Sequence, residues 1–156
     1  PENLHGRSLV PILADSEPIH DSGLLYGYFG SNINVTDGTC TYTRYPVPDS
    51  VTHHHFSSIT IKDQSSFPAD TTEEVKSAEH GRFLRYCRDV PHYRSAVPWN
   101  RKADHDFNPV IDLRRDPGGL HPIQDQQLES TYARLLADTL ESYRAPECHH
   151  KRMGLE

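Results

Sequence analysis

Eleven histidines stand among the 156 residues, and five of them fall in two runs, His53-His54-His55 and His149-His150. Imidazole binds metals and carries protons near neutral pH. On a strand, neighbouring side chains point to opposite faces, so only His53 and His55 share one. A zinc site needs three or four converging ligands with outer hydrogen bonds to hold them. His149 and His150 join such a site only where the fold brings them close. We therefore read these histidines as solvated or as lining the rim of a cleft, with a metal site as the alternative. Asp104, Asp106 and Asp112 lack the Gly and terminal Glu of an EF-hand loop and read as surface charge rather than calcium ligands. Asn34-Val35-Thr36 spells a glycosylation sequon but reads first as part of a hairpin. Tyr26, Tyr28, Phe29 and Tyr42 resemble a base-stacking platform in residue type alone. The charge balance is 16 basic against 22 acidic residues, net −6, and no basic groove accompanies the aromatics. Phosphate neutralisation by Lys and Arg is thus missing, and core packing is the better role for them. Three cysteines, Cys40, Cys87 and Cys148, are too few for a disulfide scaffold, and one must stay unpaired within the chain. We find no nucleophile, base and orienting group by motif. No residue is assigned here as catalytic, cofactor-binding or metal-ligating.

The elements that must position these residues follow from pattern. Ser8 before Val10-Pro11-Ile12-Leu13 is a capping residue with Pro in the first turn, which predicts a short helix. Leu24–Phe29, between Gly23 and Gly30, reads as a strand. Asp37-Gly38 joins Ile33–Thr36 to Thr39–Tyr45, a hairpin signal of the type I′ kind, with positive φ expected at both central residues. On the second arm Cys40, Tyr42 and Arg44 share one face; Thr39, Thr41, Thr43 and Tyr45 share the other. Pro46 and Pro48 end it. His53–Ile61 reads as a weaker strand. Thr72-Glu73-Glu74 ahead of Val75, Ala78, Phe83 and Leu84 predicts a short helix, and Val90–Asn108 reads as loop. Pro109–Leu113 is a short buried strand, stopped by Asp116-Pro117-Gly118-Gly119. Asp125 caps a long helix whose apolar stripe is Leu128, Tyr132, Leu135, Leu136, Thr139, Leu140 and Tyr143, ended by Pro146. No run of about 18 apolar residues is present, so a membrane-spanning helix is not expected, and the first residues carry no signal-peptide pattern. The expected fold class is α+β: a small antiparallel sheet packed against a long C-terminal amphipathic helix.

Three stretches in order carry a family resemblance. His5-Gly6-Arg7-Ser8-Leu9-Val10-Pro11-Ile12-Leu13 is similar to "HGRSLLPLL". Gly23–Gly30 with Asn34–Arg44 is similar to "LYGYFGG-VNVTDGRYTYFR". Asp112-Leu113 through Asp116-Pro117, His121-Pro122-Ile123-Gln124-Asp125, the final helix, Ala145-Pro146-Glu147 and Arg152-Met153-Gly154-Leu155 are similar to "YDLENDPGQ-NPI-D", a closing helix and an "RLGL" ending. These resemble the C-terminal part of sulfatases, members of the alkaline-phosphatase-like superfamily, loosely between residues 47 and 108. The resemblance implies residues 1–22 as a linker and short helix following a catalytic domain, and residues 23–156 as the C-terminal subdomain. Pro1 in place of a start methionine fits that expectation: either processing or a longer parent chain.

In that family a Cys or Ser becomes formylglycine and calcium is held by Asp and Asn. All catalytic residues lie upstream of "HGRSLLPLL", so the resemblance carries none of them onto this chain and implies no cofactor within it. Cys40-Thr41-Tyr42-Thr43-Arg44 has the Cys and Arg spacing of the family's modification motif Cys-x-Pro-x-Arg. Tyr42 stands where Pro or Ala is required, and we read the stretch as a structural strand. The expected function is a structural, cleft-shaping subdomain of a sulfate-ester hydrolase, inactive alone, with the upstream catalytic domain as partner and neither nucleic acid nor membrane. Whether His53, His54 and His55 line the cleft stays open, as do compartment and substrate. The alternative is a free-standing binding or interaction module, with a His-mediated metal as one form of it.

Overall fold

Alternating short runs, each too small to be stable alone, pair into two antiparallel sheets in the computed structural model, which describes residues 8, 10–14, 23–27, 30–56, 76–84, 90–97 and 105–156. In chain order the elements are α1 (Val10–Leu13), β1 (Leu24–Gly27), β2 (Ile33–Thr36), β3 (Cys40–Arg44), β4 (Thr52–Phe56), β5 (Glu79–Gly81), β6 (His92–Val97), β7 (Val110–Asp112), α2 (Gln126–Ser142) and α3 (Glu147–Met153). The larger sheet has the order β1-β2-β3-β7 and the smaller one β4-β6-β5. The architecture is therefore α+β, with α2 packed on the four-stranded sheet.

The register sets the core. Leu25 pairs with Val35, Val35 with Tyr42, and Tyr42 with Val110, a single row across the sheet. Against it α2 buries Tyr132, Leu136, Thr139 and Leu140, four members of the expected stripe. Val35, Tyr42, Val110 and Leu136 are fully buried. Burying one such side chain stabilises by about 2 kcal/mol, which is why a helix marginal in isolation holds here. Gly23 sits where β1 enters under the helix: a Cβ there would lie 2.5 Å from Val35 Cγ2. Asp125 caps α2, its carboxylate accepting from Leu128 N–H at 2.8 Å. Asp125→Ala should lower stability by about 1 kcal/mol, read as an earlier urea midpoint at unchanged slope.

Several expectations are corrected. The β2–β3 hairpin forms, but Thr36 pairs with Thr41, and only Gly38 has positive φ, at 85°. The loop is wider than a two-residue type I′ turn because the Asp37 carboxylate accepts from both Thr39 N–H and Cys40 N–H, each at 2.8 Å. Val90–Asn108 is not all loop: His92–Val97 is a strand, central in the smaller sheet. In the expected short helix the described residues Lys76 and Ser77 are helical, but Ala78, Phe83 and Leu84 are not; β5 lies among them. Backbone pairing to β6 replaces the helical ladder there. The long helix is not the last element. Pro146 stands at the N-terminus of α3, where its missing N–H costs nothing. The expected extensions to Phe29 and Ile61, and the Thr72 cap, lie outside the described residues.

Candidate functional site

Register explains how the histidines meet. His53 pairs with Ala96, and His55 with Arg94. Across β6, Glu79 pairs with Arg94 and Gly81 with His92. Side-chain alternation then puts His53, His55, His92, Arg94 and Glu79 on one face of the smaller sheet. The expectation that His53 and His55 point together holds, with ring centroids 6.5 Å apart.

His55 and His92 form the centre. Their rings lie 5.3 Å apart, with His92 Nε2 3.2 Å from His55 Nδ1. His92 Nδ1 lies 3.3 Å from the carbonyl oxygen of Val90. A carbonyl only accepts, so His92 carries its proton on Nδ1 and accepts at Nε2 from His55 Nδ1–H. That leaves His55 Nε2 as a bare lone pair, buried and without a partner. Phe83 closes the site, its ring 6.1 Å from His55 and 5.5 Å from His92. Arg94 stacks on Phe83 at 4.0 Å and pairs with Glu79 at 2.6 Å. Burial, reinforced by the charges of His92, His53, Arg94 and His149, pushes His55 down to about 4. His53 is lowered too, first by burial and then by Arg94.

Helix α3 brings the second histidine run alongside. Burial lowers His149, with Arg152, His150 and His53 adding to it. The Cys148 thiol is raised by burial, against the pull of Arg94. The fold therefore does bring His149 toward β4. Yet among the described residues no three His, Cys, Asp or Glu side chains converge as a metal site. His55 Nε2 is shielded, which suits a neutral packed imidazole better than a base that must meet a substrate. His92 and Arg94 were not singled out from sequence, and Phe83 was read only as part of a short helix; the signal for His92 and Arg94 was the β-capable run between Pro91 and Pro98.

No family model, curated protein or solved structure matches this chain.

The other sequence candidates take structural places. Cys40 and Arg44 lie on β3 with Tyr42 fully buried between them. Arg44 is committed to the chain end, as its bonds to Met153 and Gly154 carbonyls show. Intact mass should equal that of the unmodified chain; a deficit of about 18 Da mapped to Cys40 would restore the formylglycine reading. Asn34 is buried, and its amide donates to Tyr26 O at 3.2 Å and its oxygen accepts from Thr43 at 2.7 Å. The sequon is thus spent on the sheet. Asp112 accepts from Arg114 and Arg115 N–H at 2.9 and 3.2 Å and so forms a turn; Asp106 is exposed, and Asp104 lies outside the described residues. Tyr42 faces α2, whereas Tyr26 lies on the opposite sheet face against Thr41. Those two rings form no common platform. The side chain of His54 lies outside the described residues.

Proposed function

We propose that this chain is the C-terminal subdomain of a sulfatase-type hydrolase, structural and cleft-shaping, with the chemistry carried by an upstream domain. The observation that carries the reading is where the resembling stretches meet. The hairpin residue Arg44 donates to the carbonyls of Met153 and Gly154, in the ending stretch, at 2.7 and 2.9 Å. Asp116, in the third stretch, accepts from His121 N–H at 2.7 Å. The stretch of looser resemblance, residues 47–108, contains the separate smaller sheet. Motif residues that are distant in sequence thus serve one layer, as a subdomain's would.

A docking face is also on hand. Leu24 and Tyr26 are 37% and 49% exposed on the sheet face turned away from α2. Sulfate-ester hydrolysis needs cations around a dianion-like transition state, and those would come from the upstream domain. The test is the coding sequence upstream of Pro1. An open frame encoding a Cys/Ser-x-Pro-x-Arg stretch supports the reading, and the longer chain should hydrolyse 4-nitrocatechol sulfate while the 156-residue chain does not. A stop codon directly upstream overturns it.

A further inference from the structure

Backbone direction across the larger sheet leaves the β1 edge open. Neighbouring residues of an antiparallel strand turn their N–H and C=O groups to opposite sides. Thr43 N–H donates to Pro109 O at 3.0 Å and Leu113 N–H to Thr39 O at 2.9 Å, so Thr39, Thr41 and Thr43 turn toward β7. Tyr42 and Arg44 therefore turn toward their partners on β2, Val35 and Ile33. Asn34 and Thr36 turn the other way, to Tyr26 and Leu24 on β1. Leu25 and Gly27 are left with both backbone groups pointing off the sheet, and among the described residues no backbone group bonds to them there. A cavity of about 390 Å³ opens along this edge, between β1 and the turn that joins α2 to α3. Its size lies within the range of ligand pockets, roughly 300–1,000 Å³. Leu25 and Gly27 are both in its wall, and Ile33, Leu140, Tyr143 and Pro146 make that wall largely apolar.

We infer that the β1 edge takes an extended peptide as an added antiparallel strand, with one apolar side chain of that peptide seated in the cavity. The unpaired groups set the ligand class: N–H and C=O pairs repeating every second residue match the backbone of another strand. In antiparallel register the peptide residue opposite Leu25 or Gly27 exchanges both bonds with it and points its side chain to the same face. That is the face on which Leu25 packs against the core under α2. One peptide residue thus makes the backbone bonds and fills the cavity. An edge of four residues spans about 13 Å. That suits one short strand but is small beside the roughly 1,200–2,000 Å² a stable dimer interface buries, which favours a peptide over a second copy. The inference does not depend on the reading of the chain as a sulfatase subdomain.

The experiment is an amide NMR titration of the full 156-residue chain with end-blocked peptides Lys-Thr-Thr-Thr-Yaa-Thr-Thr-Thr-Lys, in which Yaa is Leu, Phe, Ala or Asp. Saturable shifts of the Leu25 and Gly27 amides are expected with Yaa as Leu or Phe. Affinity should fall by about tenfold or more when Yaa is Ala or Asp, since the cavity then gains little apolar contact. N-methylation of the Yaa amide, which faces β1, should abolish binding; N-methylation of either adjacent Thr, whose amide turns away, should leave it unchanged. Binding that tolerates both methylations, or that leaves the Leu25 and Gly27 amides unshifted, makes the cavity an apolar pocket without strand pairing and overturns the inference. Shifts of these amides that grow with protein concentration in the absence of peptide assign the edge to a second copy and overturn it as well. No saturable binding by any of the four peptides at millimolar concentration overturns the site altogether.

Discussion

Arg44→Ala should lower stability by about 2–4 kcal/mol and free the end of the chain. The side chain is only 18% exposed and every arm is engaged. Nε–H donates to Met153 O at 2.7 Å and Nη2 to Gly154 O at 2.9 Å. Nη1 lies 3.3 Å from Glu129 Oε1 and 3.2 Å from the Tyr42 hydroxyl. One guanidinium therefore joins β3, α2 and the end of α3. Removing it strands two carbonyls and a half-buried carboxylate whose remaining partner of note is Asn108, at 2.8 Å. Lys cannot reach all of these with one ammonium, so Arg44→Lys should recover only part of the loss. Urea unfolding gives the magnitude. Hydrogen exchange gives the location: the Gly154 and Leu155 amides, bonded to Lys151 O and His150 O, should exchange faster than amides of β2. A uniform acceleration across the chain would show that Arg44 is not a clamp. The same result bears on Cys40, because an arginine this committed to the fold is not available to a modification motif.

The four-stranded sheet and α2 were largely legible because their residues obey local rules. Leu128 to Tyr143 repeat at helical spacing, and Cys40, Tyr42 and Arg44 alternate away from the threonines. Asp37-Gly38 marked the hairpin, yet the Asp37 carboxylate widened it. That carboxylate also accepts from the Tyr132 hydroxyl at 2.8 Å, from a helix 95 residues away. Burial alone would raise Asp37, but the Cys40 and Thr39 amides and Tyr132 together hold it below the usual carboxylate range. The smaller sheet was not legible. Among the described side chains of His92–Val97 the buried ones are His92 and Ser95, and its strand character comes from having β4 on one side and β5 on the other. Helix α3 was missed for a similar reason: Glu147–Met153 has almost no apolar stripe and buries Arg152 along with Met153. The imidazole pair follows from a register joining residues 37 apart, which no local pattern encodes.

That pair makes acid the second lever on the fold. The folded-state value of His55 lies at about 4, against an ordinary 6.5. A lowered histidine favours the neutral ring, so its stabilisation is complete above pH 6.5 and is lost as pH falls toward 4. His53 and His149, both lowered by burial, add in the same direction. Protonating His55 at Nε2 would place a proton where no acceptor waits and a charge beside Arg94. Because the ring is half-buried, screening holds the expected loss to about 1–2 kcal/mol. The carboxylates act elsewhere: Asp37 lies below 3.8 when folded, so its contribution survives until pH drops under that value. Acidification from pH 7 to 4.5 should therefore raise exchange in β4 and β6 while β2, β3 and α2 stay protected. His55→Phe, placed against the Phe83 ring, should flatten the dependence over this window. A pH profile that is unchanged in His55→Phe would mean that the buried lone pair does not govern the smaller sheet. Equal loosening of both sheets would mean that they open as one unit, with α3 joining them.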